Sequence, residues 1–342
     1  MSTLPVVGIT MGDPSGIGPE IIIKALSDNN LYKICRPVVF GDPGALTCYV
    51  KAGEKITINE ISGPEQIRGI PFVIDLVPVT RLPNKSMIPG NPTINGGKAM
   101  VKYITLAVDL AMQGKIAGIV TCPINKSLMN RAGYNYEGHT QLIAHLTGTD
   151  SYVMMLAGKS LRVTLVTIHC ALRDVPASLD KHKIVKTIRI TSNSLVRDFG
   201  INNPLIAVAA LNPHAGESGL FGDEEKKIIR PAVEIAIEEG LNVVGPLPAD
   251  TLYPKITSRR FDAVVSMYHD QGLIPLKLLH FSDAVNTTLG LPIVRTSVDH
   301  GTAYDIAGKH KADPSSLKAA VRMAVEIIEN RAKLHTTENH EK

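Results

Sequence analysis

The chain has 342 residues, 44% apolar and 20% charged, with 28 glycines and 22 prolines. At about 150 residues per domain this predicts two domains or one two-lobed unit, and it argues against disordered, collagenous and coiled-coil classes. Against 32 acidic residues stand 36 basic ones; a formal charge of +4 without a run of five basic residues is no nucleic-acid footprint. No apolar stretch approaches the roughly 18 residues of a membrane span. The opening MSTLPVVGITMGDP shows neither a basic region nor a long apolar core, so no signal peptide is expected. Cys35, Cys48, Cys122 and Cys170 form no CxxC pair, which predicts reduced thiols in a cytoplasmic protein.

In chain order, β-rich runs are predicted at Val6–Thr10, Pro37–Phe40, Ala117–Thr121, Tyr152–Leu156, Leu161–Ile168, Leu205–Ala209, Asp262–Met267 and Ile293–Ser297. Helical patterns fall between them at Asn95–Gln113, Leu179–Phe199, Asp223–Glu239 and Pro314–Glu329. In the second helix Ile184, Ile188, Leu195 and Phe199 share a face that Ile190 does not. Gly200 and Gly240 stand where C′ glycines belong, and Asp313-Pro314 reads as an N-cap with proline at N1. Pro78 to Pro92 carries four prolines and is predicted as a loop or crossover. The polar tail after Leu334 is expected to fray. Strand alternating with helix predicts an α/β protein with a mostly parallel sheet.

One pattern recurs three times. LRVTLVTI runs into His169, LIAVAALNP into His214 and FDAVVSMY into His269. Ligands of open α/β sheets bind outside the carboxyl ends of strands, where these imidazoles would be delivered. Converging, they would make a divalent-metal site with positions left for substrate oxygens or water. Spacings of 45 and 55 residues form no local metal motif, so convergence is an inference about the fold, and each histidine alone also reads as a loop-start hydrogen bonder.

Two glycine-rich segments follow strands. Gly12-Asp13-Pro14-Ser15-Gly16-Ile17-Gly18-Pro19-Glu20 permits a tight turn and close backbone approach to a ligand. It lacks the GxGxxG spacing, and Pro14 and Pro19 remove donors, so a purely structural turn is an equal reading. Asp299 to Gly308 offers small residues and an acidic side chain suited to an adenosine ribose, or is a plain loop before the last helix. Lys126, Lys277 and Arg295 lie near these features and suit an anionic substrate, or are surface charges.

The motifs MGDPSGIGPEI, EGHTQLIA, TIHCALRDVP, LNPHAGESGLFGDEE, GPLPADTLY, MYHDQGLIPLKLL and GLPIVRTSVDHGTA occur in this order. Together they resemble the 4-hydroxythreonine-4-phosphate dehydrogenase family, from about residue 5 to 330. Gly12–Glu20, with inserted residues, and His300–Lys309 are similar to the opening turn and the nucleotide loop of isocitrate and isopropylmalate dehydrogenases. The resemblance implies a two-lobed α/β fold of that dehydrogenase type, with an active-site cleft between lobes. It assigns residues 1–130 plus 285–342 to a nucleotide-side lobe and 131–284 to a lobe for metal, substrate and dimerisation.

Carried over, the resemblance places metal ligands at His169, His214 and His269, and substrate contacts at His139, Thr140, Lys277, Asn286 and Arg295. Asp250, Asp270 and Lys277 are the candidates for proton transfer, unranked among themselves. Cofactor contacts fall on Gly12, Gly16, Gly18, His300, Gly301, Thr302 and Asp305. The implied cofactors are NAD, preferred over NADP through Asp305, and Zn, Mg, Mn or Co. The implied partner is a second copy of the chain sharing its sites, with no membrane and no nucleic acid.

The implied reaction oxidises the C3 hydroxyl of a four-carbon 4-phosphorylated acid and then decarboxylates it. GDPSGIGP, GLFGDEE and IPLKLL are more similar to relatives acting on D-threonate or D-erythronate 4-phosphate than to the vitamin B6 branch with its GEPAGIGP opening. 4-Hydroxy-L-threonine 4-phosphate stays open as substrate. A phosphate acyltransferase of related fold and a non-catalytic binding protein are the rival classes.

Overall fold

The apolar runs predicted as strands form strands, and four further segments join them. The computed structural model describes residues 4–50, 55–256 and 261–340. Its strands are β1 (Val6–Thr10), β2 (Arg36–Gly41), β3 (Thr57–Glu60), β4 (Val73–Pro78), β5 (Gly118–Thr121), β6 (Val153–Ala157), β7 (Arg162–Leu165), β8 (Ile206–Ala209), β9 (Val243–Leu247), β10 (Ala263–Ser266), β11 (Val285–Leu289) and β12 (Val294–Val298). The sequence reading missed β3, β4, β9 and β11. β3 is polar and half-exposed, and β9 is interrupted by Gly245-Pro246, so neither shows a plain apolar run.

The chain divides into two compact units, Met1–Asp150 with Leu291–Glu329, and Ser151–Gly290 with Asn330–Lys342. The boundaries differ from those the family resemblance implied. Helices Lys126–Arg131 and His139–Leu146 pack on the helix Ile94–Met112 and so belong to the first unit. β11 pairs antiparallel with β6 and so belongs to the second.

In the first unit the strands lie in the order β3-β4-β2-β1-β5-β12, all parallel. Such strands are covered on both faces, which is why Val7, Ile9, Val38, Val39, Ile119 and Val120 are fully buried. β1, β5 and β12 are neighbours, so the segments after Thr10, Thr121 and Val298 emerge at one edge.

In the second unit the order is β11-β6-β7-β10-β8-β9. Here β11, β6 and β7 are joined antiparallel, while β7, β10, β8 and β9 run parallel. Leu156, Val163, Leu165, Ala207, Val264 and Leu276 form the centre of its core.

The helix Lys181–Phe199 buries Ile184, Ile188 and Leu195 completely, leaves Ile190 half-exposed, and ends at Gly200 with φ 66°, as its periodicity predicts. Asp313 Oδ1 accepts from Ser315 N at 2.9 Å, capping the last helix as expected. That helix runs Ser315–His340, so the polar tail continues it where fraying was expected; residues 341 and 342 lie outside the described residues. The segment 223–239 is not one α-helix. It begins with a π-helical turn, Glu225–Ile229, before the α-helix Arg230–Glu238, because Pro231 has no N–H to continue an α ladder. All four cysteines are free thiols. No helix among the described residues is long and apolar enough to cross a membrane.

Candidate active site

β10 lies between β7 and β8, all three parallel, so the segments carrying His169, His269 and His214 leave neighbouring strands at the same carboxyl edge. Side chains tie these strand ends together. Thr167 Oγ1 donates to the Met267 carbonyl at 2.7 Å, linking the ends of β7 and β10. Buried Gln271 accepts from Met267 N at 2.7 Å and donates to the Ala210 carbonyl at 2.5 Å, linking β10 to β8.

His169 and His269 stand side by side, ring centroids 6.1 Å apart. Both line an open cavity of about 470 Å³ with Cys170, Val175, Tyr268 and Asp270. His269 opens the helix His269–Leu279, and its Nδ1 meets Asp270 Oδ1 at 2.7 Å. A carboxylate on Nδ1 leaves Nε2 as the lone-pair nitrogen, the arrangement common in metal-ligating histidines. These two imidazoles fit a divalent ion. His214 lies apart from them, its ring 6.2 Å from that of Phe221, in a turn where residues 214–218 all have positive φ. Among the described residues no three His, Cys, Asp or Glu side chains are gathered closely enough to hold a metal.

The remaining candidates of the second unit spread along the same structure. Lys277 lies on the helix that His269 opens, in a groove with Ile274, Leu278 and Phe281. Asp250 is exposed in the first turn of the helix Ala249–Ile256, just beyond β9. Asn286 sits in β11 with its Oδ1 buried and without a hydrogen-bond partner.

In the first unit, Arg295 is the second residue of β12 at 2% exposure, its Nη2 donating to Thr121 Oγ1 at 2.9 Å. Burial pushes its pKa down, yet a guanidinium stays charged at neutral pH. His139 begins the helix His139–Leu146, followed by Thr140. Burial, then the nearby Arg295 and Lys126 cations, hold its pKa well below the usual imidazole value. Its hydrogen bond goes to the Cys122 backbone, while Nε2 is buried without a partner. A neutral ring donating through Nδ1 therefore presents Nε2 as an acceptor.

The two glycine-rich segments, far apart in sequence, are stitched together at the edge shared by β1, β5 and β12. Ile17 N donates to the Thr302 carbonyl at 3.0 Å, and the Tyr304 hydroxyl donates to Asp13 Oδ2 at 2.5 Å. Tyr304 also accepts from Asn125 Nδ2 at 3.0 Å. Burial raises the Asp13 pKa, opposed by its bonds from Tyr304 and Ser15. Gly12 has φ +71°, and a Cβ there would fall 2.2 Å from the Pro123 carbonyl oxygen, so glycine is required. Gly18 opens the helix Gly18–Leu26, whose Glu20 is occupied by Lys24 Nζ and Ala312 N. In the second loop the Nε2 of His300 is buried without a partner, and Gly301 and Asp305 are exposed.

A model of the family described as pyridoxal phosphate biosynthetic protein PdxA matches residues 33–324. The chain belongs to the PdxA family. The 4-hydroxythreonine-4-phosphate dehydrogenase of Desulforapulum autotrophicum is 54% identical over 321 residues, 94% of either chain. The D-threonate 4-phosphate dehydrogenase of Cupriavidus necator is 44% identical, over 96% of this chain and 99% of its own. A solved 4-hydroxythreonine-4-phosphate dehydrogenase structure from Klebsiella pneumoniae shares the fold with a TM-score of 0.87 at 40% identity, covering 96% of this chain and 99% of that one. This PdxA-family chain is a dehydrogenase, an oxidoreductase, which favours that class over a phosphate acyltransferase.

Sequence reasoning missed Thr121, the link from Gln271 to Ala210, and the Asp13–Tyr304–Asn125 junction. Each acts through a partner more than a hundred residues away or on another strand, and no local spacing announces such a pair.

Proposed function

We propose that this PdxA-family member oxidises the C3 hydroxyl of a four-carbon 4-phosphorylated acid with NAD and a divalent metal, and that decarboxylation follows. The observation that supports this reading is the pairing of His169 and His269 at the carboxyl edge of adjacent parallel strands, with His269 oriented by Asp270. When bound, the metal supplies a Lewis acid for the reacting oxygens, and NAD accepts the hydride.

His169 and His269 are the donors this copy offers together. We assign the third, His214, to the site of a second copy. Leu220 (74% exposed) and Phe221 follow it on the surface, and Leu278 (81%) and Phe281 (85%) flank Lys277, apolar area suited to a dimer contact. Asp270, engaged by His269, serves as its orienting group, and Lys277 and Asp250 are assigned to proton transfer. Arg295 holds anionic oxygens of the substrate, aimed by Thr121. His139 Nε2, as a neutral acceptor, takes a hydrogen bond from a substrate hydroxyl or protonated oxygen. The joined segments 12–20 and 300–309 form the nucleotide site, with exposed Asp305 available to ribose hydroxyls and repelling a 2′-phosphate.

Greater identity to relatives named for 4-hydroxythreonine 4-phosphate than to one named for D-threonate 4-phosphate supports the former as the first substrate to test. The deciding experiment incubates the protein with NAD, Mg²⁺, Mn²⁺, Co²⁺ or Zn²⁺ and both acids, following NADH and carbon dioxide. Metal-dependent release of both products from one acid is expected. Absence of NAD reduction with every four-carbon phosphate overturns the reading.

A further inference from the structure

His214 to Ser218 form the longest run of positive φ among the described residues, with φ of 51°, 54°, 80°, 42° and 59°. Only one of the five, Gly216, is a glycine. L-residues avoid this region because Cβ crowds the following carbonyl, so four of them within one five-residue run persist only where the surroundings hold them. Pro213 fixes the backbone angle just before the turn.

The holding group is Glu225. The residue is 3% exposed. Oε1 accepts from Leu211 N at 2.8 Å and Asn212 N at 2.7 Å, and Oε2 from Asn212 Nδ2 at 3.0 Å. The turn then wraps the same carboxylate: a Cβ on Gly216 would stand 2.8 Å from Glu225 Oε2 and 3.0 Å from the Gly222 carbonyl oxygen. Phe221 N donates to the Gly216 carbonyl at 3.2 Å, and Leu220 N to that of Glu217 at 3.2 Å. Glu225 is also the first residue of the π-helical turn Glu225–Ile229, a wide turn of the kind that recurs at functional sites.

We propose that Glu225 is the positioning residue for His214: its buried carboxylate clamps the backbone before the left-handed turn and so sets where the imidazole is presented. Glu225 bonds the backbone two and three residues before His214 and acts on the ligand only through that segment. The proposal rests on the reading of His214 as a metal donor.

The test compares wild type with Glu225→Gln, which keeps the shape but removes the charge that strengthens the bonds from Leu211 N and Asn212 N and turns an NH2 toward Asn212 Nδ2, and with Glu225→Asp. Chelator competition measures Co²⁺ or Zn²⁺ affinity, and hydrogen exchange follows residues 211–221. Glu225→Gln should bind metal about 10–100-fold more weakly, the range for groups that orient ligands. Its 211 and 212 amides should exchange faster, kcat should recover as metal is raised, and Glu225→Asp should recover part of the affinity. Wild-type affinity with unchanged exchange in Glu225→Gln overturns the proposal, as does a loss that excess metal does not restore. If wild type itself holds no metal, the functional reading fails, and exchange alone still reports whether Glu225 holds the turn. Should Glu225→Gln not fold, Gly216→Ala crowds the same carboxylate while leaving it in place, and the same two outcomes apply.

Discussion

Replacing Arg295 separates recognition of the substrate's phosphate from support of a strand. Arg295 is 2% exposed near the start of β12, and Thr121 Oγ1 fixes the direction of its Nη2 at 2.9 Å. An anionic oxygen meeting it there is met away from water, where loss of one partner of a charge-assisted pair costs roughly 2–5 kcal/mol. At about 1.4 kcal/mol per tenfold this is a fall of roughly 30- to 5,000-fold in kcat/KM. Arg295→Met removes the charge but fills most of the buried volume, so it limits the cavity that Arg295→Ala would leave. Arg295→Lys should recover only part of the loss, because a point charge does not reproduce a planar fork. The assay measures kcat/KM of wild type and both variants on a phosphorylated acid and on the same acid without phosphate. The bare acid should be a poor substrate for wild type and should lose little further in the variants. Parallel losses on both substrates would refute the assignment and leave Arg295 a structural residue.

Alanine at His169 or His269 should remove most bound metal and activity while the thermal midpoint stays within a few degrees, measured by metal analysis and circular dichroism; full metal retention in both refutes the pair as ligands. NAD should be preferred over NADP, and Asp305→Asn should narrow the gap; equal kcat/KM of wild type with both cofactors removes Asp305 from the ribose site. Asp198 is buried, which alone would raise its pKa, yet bonds from Arg197 and Arg331 bring it below the ordinary carboxylate value. A folded pKa below the unfolded one contributes stability above about pH 4 that is lost as pH falls through the folded value. The stability advantage of wild type over Asp198→Asn in urea should therefore be full at neutral pH and shrink below about pH 4, and an advantage independent of pH contradicts this.

Much of the first layer of this structure is local and could be read from residues in order. Mostly apolar runs bounded by turn residues became β1, β2, β5, β6, β7, β8 and β10, because strands covered on both faces are largely apolar; β12 is equally buried but carries Arg295, Thr296 and Ser297. Gly200 and Asp313 ended and began helices for reasons contained within a few residues. The placement of His169, His214 and His269 just after strands was equally legible, since a strand that stops fixes where the next side chain emerges. Which strands are neighbours was not. That β10 inserts between β7 and β8 depends on crossover helices packing onto a shared core, a property of the whole second unit rather than of any window. The same holds for Arg295 and Thr121, or Tyr304 and Asp13, whose hydrogen bonds span 174 and 291 residues. The turn at His214 is the sharpest case. Its residues, with one glycine among five, show no preference for the left-handed region, and the conformation exists because Glu225, eleven positions later, is buried where it can bond the backbone before it. Local propensity sets the elements, and tertiary burial decides which polar groups must find each other.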